Sequence, residues 1–244
     1  MTAAGDTGSR PGSREPARDS PQSRADLVSK LSHEVRGPVS TLRGLVGSTL
    51  AHYDRLSDDE RREFLGLIKH EADRLERTVE QVTLALKLDA GSLRFDIRRQ
   101  DLGVIVREAA QAVDTGDHPL EVDAAESIEA PVDGALIASA VRQLIDNAVA
   151  FSPPDSPITV GLRRDGDDAM IEVADRGPGV PPDKREAVFE RFADWRPSGY
   201  EDRPGAGLGL YISRAVAREH GGEASIADGP AGGTMLIVRL PLEG

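Results

Sequence analysis

The chain has 244 residues, enough for one large domain or two ordinary ones, and its lack of cysteine excludes disulfides and thiolate metal sites. A formal net charge of −12 with a pI near 4.9 argues against general nucleic-acid binding. The sequence contains no run of about 18 apolar residues, so it predicts no membrane span. We therefore expect a cytoplasmic protein with no nucleic-acid partner and no direct membrane span.

The first segment, residues 1–24, is predicted to be a disordered tail. It reads "MTAAGDTGSRPGSREPARDSPQSR", which is rich in Gly, Pro, Ser and charged residues. It lacks the apolar core of a signal peptide. Any signal would then reach the protein through this tail or through a separate sensor protein.

Residues 25–90 are predicted to form a helical hairpin. Ser57 and Glu60 make a capping-box pattern where the second helix begins. Apolar residues recur at helical spacing on both sides of it: Leu27, Leu31, Val35, Leu42, Leu45, Val46 and Tyr53, then Phe64, Leu67, Ile68, Leu75, Val79, Val82 and Leu86. Because one hairpin cannot bury both stripes, we expect a homodimer in the form of a four-helix bundle.

Residues 91–244 alternate between strand and helix patterns. Strands are predicted at 92–98, 119–124, 157–164, 168–175, 223–227 and 234–241, and helices at 102–113, 133–151 and from about 209 to 219. Asp133 is a candidate helix cap, and Asp165-Gly166 is a predicted hairpin turn. The predicted fold class is α+β, with a two-layer α/β sandwich following the hairpin.

The stretch "KLSHEVRGPVSTL" places His33 and Glu34 side by side in the first predicted helix. His33 falls about 180° from the apolar stripe, so its imidazole is available to a partner. A neighbouring carboxylate orients such a ring, accepts its proton and makes the other nitrogen a better nucleophile. His33 and Glu34 are therefore candidate catalytic residues.

The helix face that carries His33 has small residues at steps of three or four. They are Gly37, Ser40, Gly44, Gly47 and Ala51. A solvated face normally carries charged residues, and Gly costs about 1 kcal/mol relative to Ala in a helix. The pattern fits either close packing of another helix of the bundle or a docking groove for a partner domain.

Four short motifs in the second half have the chemistry of one nucleotide site. Asn147 offers an amide oxygen to a hard cation such as Mg²⁺, and Asp175 an acceptor for an adenine amino group. Gly177 and Gly179 allow close backbone approach to a ligand. "GAGLGL", residues 205–210, opens a helix whose N-terminus favours phosphate, and "GGT", residues 232–234, begins the last strand.

These motifs, in this order, resemble the kinase core of a two-component sensor histidine kinase. The resemblance rests on "SHEVRGPVS", "LIDNAVAFSP", "DRGPGV", "VFERF" and "GAGLGL", and it covers residues 25–244. It implies a phosphotransfer hairpin at 25–90 and a Bergerat-type ATP-binding domain at 91–244, with 180–204 as a lid. It also implies the cofactors ATP and Mg²⁺ and a response regulator as partner.

The resemblance assigns a role to each motif residue. His33 would accept the γ-phosphoryl group with Glu34 as base, Asn147 would hold Mg²⁺, and Asp175 would recognise adenine. The nucleotide would lie against the glycine motifs, that is, Gly177, Gly179, Gly205, Gly207, Leu208 and Gly209.

The chain departs from the family pattern at three positions. Gly37 stands where the family has Thr or Asn, which bears on dephosphorylation of the regulator. Gln143 replaces the first Asn of the ATP-site helix, and Ala150 replaces a phosphate-binding Lys. A lid arginine, Arg191, Arg196 or Arg203, is a candidate to replace that charge, and the three are equivalent in sequence.

The sequence thus favours an ATP-dependent protein-histidine kinase that phosphorylates His33 and passes the phosphoryl group to a response-regulator aspartate. The alternative is a non-catalytic ATP-binding scaffold that docks a regulator or another kinase, which Gly37 and Ala150 favour. An ATPase of the same superfold is opposed by Gln143, because such enzymes activate water with a Glu at that position.

Overall fold

A computed structural model describes residues 21–201, 203 and 205–243, with side chains for residue 32 and from residue 35 onward. Helix α1 spans Pro21–His52 and helix α2 spans Asp58–Asp89, which confirms the predicted hairpin. Helix α1 begins four residues before the boundary predicted at residue 25, so the predicted tail is too long at its end. Residues 1–20 of that tail lie outside the described residues.

Both ends of α2 are set by local sequence. At its start the Ser57 hydroxyl accepts a hydrogen bond from the Glu60 N–H, and the Glu60 carboxylate accepts one from the Ser57 N–H. At its end the Ser92 N–H donates to the Lys87 carbonyl and the Gly91 N–H to the Leu88 carbonyl. Gly91 has φ +56°, the left-handed conformation that this C-terminal motif requires.

The strand predicted at residues 92–98 is wrong. Residues 92–97 have no regular structure, and strand β1 spans Arg98–Asp101. Its antiparallel partner is a strand that the sequence analysis missed, β3 at Glu129–Val132. The side chain of Asp101, the last residue of β1, caps helix α3 (Leu102–Gln111) by accepting from the Gly103 N–H.

The other strands form one mixed sheet of five, in the order β2-β4-β5-β7-β6. Strand β2 runs parallel to β4, and the remaining neighbours are antiparallel. The strands are β2 at Leu120–Asp123, β4 at Ile158–Asp165, β5 at Asp168–Ala174, β6 at Glu223–Asp228 and β7 at Thr234–Pro241. The predicted Asp165-Gly166 turn joins β4 and β5 and closes the pair Asp165–Asp168.

Three helices cover the sheet and complete the predicted two-layer arrangement. They are α3, α4 (Gly134–Phe151) and α5 (Gly209–Glu219). Their apolar faces meet the sheet in one core whose largest fully buried side chains include Leu102, Ile137, Leu144, Ile171, Ile212 and Leu236. Buried apolar residues lie on one face of each helix, because the core lies between the helix layer and the sheet.

The hairpin leaves much apolar surface exposed. Leu50 is 70% exposed and Leu65 59%, and Val46, Tyr53, Leu67, Val79 and Leu86 are also open to solvent. On the small-residue face, nothing lies within 4 Å of where a Cβ would stand at Gly37, Gly44 or Gly47. No described helix of the same chain therefore packs there. No helix among the described residues has the length and hydropathy needed to cross a bilayer.

Candidate functional site

A cavity opens between α4, the N-terminus of α5 and the segment that precedes α5. It encloses about 1040 Å³ of empty space, a figure that includes open solvent at its mouth. Four predicted residues on the glycine-rich segment line it, namely Gly205, Gly207, Leu208 and Gly209, and so do Gly179 and Asn147. The structure thus brings six of the predicted nucleotide-site residues to one place.

Helix α4 presents its polar side chains to this cavity because of its sequence period. Gln143 and Asn147 lie four residues apart on one face, and Phe151 follows at the same spacing. The side of the helix that faces the core carries Val141, Leu144, Ile145 and Ala148, all of them buried. The Asp133 side chain fixes the start of α4 by accepting from the Ala135 and Leu136 N–H groups.

Asp175 lies just after β5 and is 1% exposed. Its Oδ1 accepts hydrogen bonds from the Gly177 N–H at 2.7 Å and the Thr234 N–H at 3.1 Å. Burial raises the pKa of this carboxyl, and the two N–H donors oppose that rise. Thr234 lines the cavity, so Asp175 lies one layer beneath the cavity wall.

The glycines after Asp175 serve close packing inside the protein. A Cβ at Gly177 would stand 2.6 Å from the Phe151 carbonyl oxygen, and one at Gly179 would stand 2.7 Å from the Gly232 carbonyl oxygen. Gly179 also has φ +73°. The predicted reason for these glycines, backbone approach to a ligand, is therefore incomplete, because neighbouring backbone already requires them.

The N-terminus of α5 differs from those of α2, α3 and α4. Side chains cap the latter three, whereas no side chain accepts a hydrogen bond at the start of α5, where Leu208 is the cap residue. The N–H groups of its first turn point along the helix axis toward the glycine-rich edge of the cavity. Such a terminus carries partial positive charge and favours an anion.

The segment predicted as a lid, residues 180–204, is divided in two. Its first part is anchored, since Val188 is 7% exposed and Phe189 4%. Its second part lies over the cavity, where Trp195 and Arg196 form part of the wall. Tyr200 continues this cover, with its ring centroid 5.9 Å from that of Phe151.

The hairpin also reaches the cavity. The Gln81 side chain of α2 lines it and donates to Oε1 of Gln143 at 2.6 Å. Ala85, one turn later, is 3% exposed. One turn further, the Asp89 carboxylate accepts hydrogen bonds from Arg191 and from the Tyr211 hydroxyl. The three α2 residues share one face and form a seam between the hairpin and the α/β domain.

The two candidate catalytic residues lie on the other helix of the hairpin. His33 and Glu34 belong to α1, and their side chains lie outside the described residues. Their roles remain predictions. Sequence reasoning missed Gln81, Trp195 and Asp146 as cavity residues. Gln81 carries no local signal, because only the docking of α2 against α4 brings it there.

Two family models match the chain, in the predicted order. Residues 23–91 match the His Kinase A (phospho-acceptor) domain, and residues 132–244 match the histidine kinase-, DNA gyrase B- and HSP90-like ATPase family. These matches confirm the predicted phosphoacceptor and Bergerat-type ATP-binding regions.

Two known proteins match large parts of the chain at 30% identity or more. The sensor-like histidine kinase SenX3 of Mycobacterium tuberculosis is 32% identical over 222 residues, which is 89% of this chain and 54% of that protein. The solved mycobacterial sensor histidine kinase MprB is 30% identical with a TM-score of 0.53, covering 59% of this chain and 97% of that one. The chain therefore belongs to the sensor histidine kinases of two-component systems.

The fold of the two regions together has a further solved counterpart. The Acinetobacter baumannii histidine kinase AdeS matches 86% of this chain and 98% of its own, with a TM-score of 0.62. At 18% identity this likeness concerns the fold alone. The chain spans about half the length of the SenX3 relatives it matches.

Proposed function

We propose that this chain is an ATP-dependent protein-histidine kinase that phosphorylates His33 and passes the phosphoryl group to an aspartate of a response regulator. The uncapped N-terminus of α5, at the edge of a cavity lined by Asn147 and the glycine-rich segment, carries the proposal. It offers backbone N–H donors that no side chain caps, at the point where the motif order predicts phosphate.

Several features of the cavity suit the base and the Mg²⁺ ion of ATP. Val180, Val188, Ile226 and Leu236 give it an apolar wall for a purine ring. Asp175 beneath that wall supplies an acceptor for the adenine amino group, beside Thr234. The phosphates would extend toward the first turn of α5, and the Asn147 amide oxygen would hold Mg²⁺ beside them.

The proposed chemistry moves one phosphoryl group. A ring nitrogen of His33 forms a bond to the γ-phosphorus, the bond from that phosphorus to the bridging oxygen breaks, and ADP departs with the electron pair. The Glu34 carboxylate takes the proton from the imidazole ring. When bound, Mg²⁺ neutralises charge on the phosphates, and the α5 N–H groups hold them in place.

We further propose that the protein acts as a homodimer formed through the hairpin. The exposed apolar residues on α1 and α2, led by Leu50 and Leu65, are available to a second copy. The open face at Gly37, Gly44 and Gly47 is the proposed approach for the response regulator to His33. Gly37 offers no side chain to orient a water molecule, so we expect weak dephosphorylation of the regulator.

The decisive experiment follows the phosphoryl group. The protein is incubated with γ-labelled ATP and Mg²⁺, and we expect acid-labile, base-stable label that His33→Ala abolishes while nucleotide binding remains. His52→Ala is the matched control, because His52 lies on the same helix and is exposed. Label that survives His33→Ala would contradict the assignment. ATP binding without label in the wild type would favour the scaffold alternative.

A further inference from the structure

The cavity is poor in positive charge for a site that would bind a triphosphate. Among the described residues that line it, Arg196 is the only cationic side chain and Asp146 the only anionic one. Ala150, on the α4 face next to the cavity, contributes no charge. A nucleotide carrying three phosphates therefore meets one protein cation in this wall.

The Arg196 side chain spans from the segment over the cavity to the glycine-rich segment. Its Nη1 donates to the carbonyl oxygens of Ala193 at 3.2 Å and Trp195 at 2.9 Å, and its Nη2 donates to the carbonyl of Gly205 at 3.0 Å. Its guanidinium carbon lies 6.0 Å from the centroid of the Phe151 ring. Ala150 and Phe151 line the same cavity as Arg196, so this guanidinium lies in the wall to which Ala150 contributes no charge.

The other two arginines of the segment are placed differently. Arg191 is paired with Asp89 at the seam, and its guanidinium carbon lies 5.8 Å from the Tyr211 ring centroid. Arg203 is exposed, with its guanidinium carbon 5.7 Å from the Tyr200 ring centroid. Neither is among the residues that line the cavity. The geometry therefore distinguishes three arginines that are equivalent in sequence.

We propose that Arg196 is the phosphate-binding cation of this site, exchanging the Gly205 carbonyl for an oxygen of the nucleotide's phosphate chain. The inference rests on the proposed function, because it takes ATP as the ligand. The exchange is favourable since Gly205 offers a neutral acceptor, whereas a phosphate oxygen is charged and accepts a stronger bond. The planar guanidinium can bind two phosphate oxygens at once. The positive charge that is missing at Ala150 is thereby supplied by a residue from a different part of the chain.

The neighbouring residue gives this exchange a direct readout. Trp195 is the only tryptophan of the chain, it lines the cavity and it packs against the core. Movement of Arg196 from the carbonyl oxygens of Trp195 and Gly205 would change the surroundings of the indole ring. We expect its fluorescence to respond to ATP.

The test compares ligands that differ only in their phosphates. Adenosine, ADP and ATP are titrated into the full chain with Mg²⁺, followed by Trp195 fluorescence and by calorimetry, for the wild type, Arg196→Met, Arg196→Lys and Arg203→Met. We expect Arg196→Met to weaken ATP binding about tenfold or more and to leave adenosine binding nearly unchanged. We expect Arg196→Lys to show only part of this reduction in ATP affinity. Arg203→Met should bind all three ligands as the wild type does.

Two outcomes would overturn the inference. One is unchanged ATP affinity in Arg196→Met. The other is an equal loss for adenosine and ATP, which would mean that Arg196 only clamps the segment over the cavity. If Arg196→Met does not fold, judged by its thermal midpoint, Arg196→Lys and its ATP-to-adenosine affinity ratio decide the matter.

These titrations, together with the labelling experiment, separate this inference from the proposed function. A wild type that binds ATP through Arg196 but never labels His33 would refute the kinase and leave the phosphate contact standing. If the wild type is labelled on His33 but Arg196→Met binds ATP with unchanged affinity, the kinase stands and the Arg196 phosphate contact is refuted. A wild type that does not bind ATP would refute both.

Discussion

Asp175 has a structural role and a proposed role in adenine recognition, and two substitutions separate the two roles. Asp175→Ala removes the acceptor of the Gly177 and Thr234 N–H groups, both of which belong to buried residues. A buried donor left unsatisfied costs about 1–3 kcal/mol, so the pair costs about 2–6 kcal/mol. That is a large part of the about 5–15 kcal/mol by which a domain is normally stable.

Asp175→Asn keeps the carbonyl oxygen that accepts both N–H groups. Burial raises the pKa of the Asp175 carboxyl, which means that the folded protein disfavours its ionised form. At neutral pH the uncharged amide therefore costs little stability or none. It places an NH₂ donor opposite the adenine amino group, which is itself a donor, and so it opposes adenine binding.

The assay pairs urea unfolding at pH 7 with calorimetric titration of ATP and GTP. We expect Asp175→Ala to unfold at clearly lower urea, and Asp175→Asn to unfold near the wild type while binding ATP about tenfold more weakly, a difference of about 1.4 kcal/mol. GTP binding should change less. Wild-type ATP affinity in Asp175→Asn would refute adenine recognition, and wild-type stability in Asp175→Ala would refute the role of the two hydrogen bonds.

Two further predictions concern charge and assembly. Burial raises the pKa of the Asp146 carboxyl above its ordinary 3.8, and the charges of Arg77 and Arg142 oppose that rise. The contribution of this group to the free energy of unfolding is therefore fully present below pH 3.8, and it is lost as the pH rises through the raised pKa. The urea midpoint of Asp146→Asn should therefore increase relative to that of the wild type as the pH rises from 4 to 8. A difference in midpoint that shrinks with rising pH would contradict this. Leu50→Glu, at a position 70% exposed in the single chain, should convert the proposed hairpin dimer to monomer in sedimentation. A folded wild-type monomer at high concentration would rule out that dimer.

The elements that could be predicted from the sequence are those whose ends and buried faces are determined by residues within or next to the element. Asp133 precedes α4, whose period places Gln143 and Asn147 opposite the core, and that helix was predicted within one residue. The same holds for α2, because Ser57 and Glu60 form a complete capping box.

The elements that escaped prediction depend on distant partners. Leu93, Phe95 and Ile97 alternate as in a strand, yet the available partner, β3, pairs with the following residues 98–101. Strand β3 itself contains Pro131, which cannot donate to a ladder and weakens the local strand signal. Gln81 enters the site for the same kind of reason, since its contact with Gln143 joins residues 62 apart.

The end of α2 limits how the α/β domain can move. Beyond the motif at Gly91, the chain is tied to the domain again at once: the Phe95 ring meets His220 edge-on and the Asp96 N–H donates to Asp133. Only residues 92–94 lie between, a tether of about 10 Å when fully extended. If the seam at Gln81 and Asp89 opens, the domain can turn about the end of α2 but cannot travel along the hairpin. The tether thus restricts such a movement of the domain to a rotation about the end of α2.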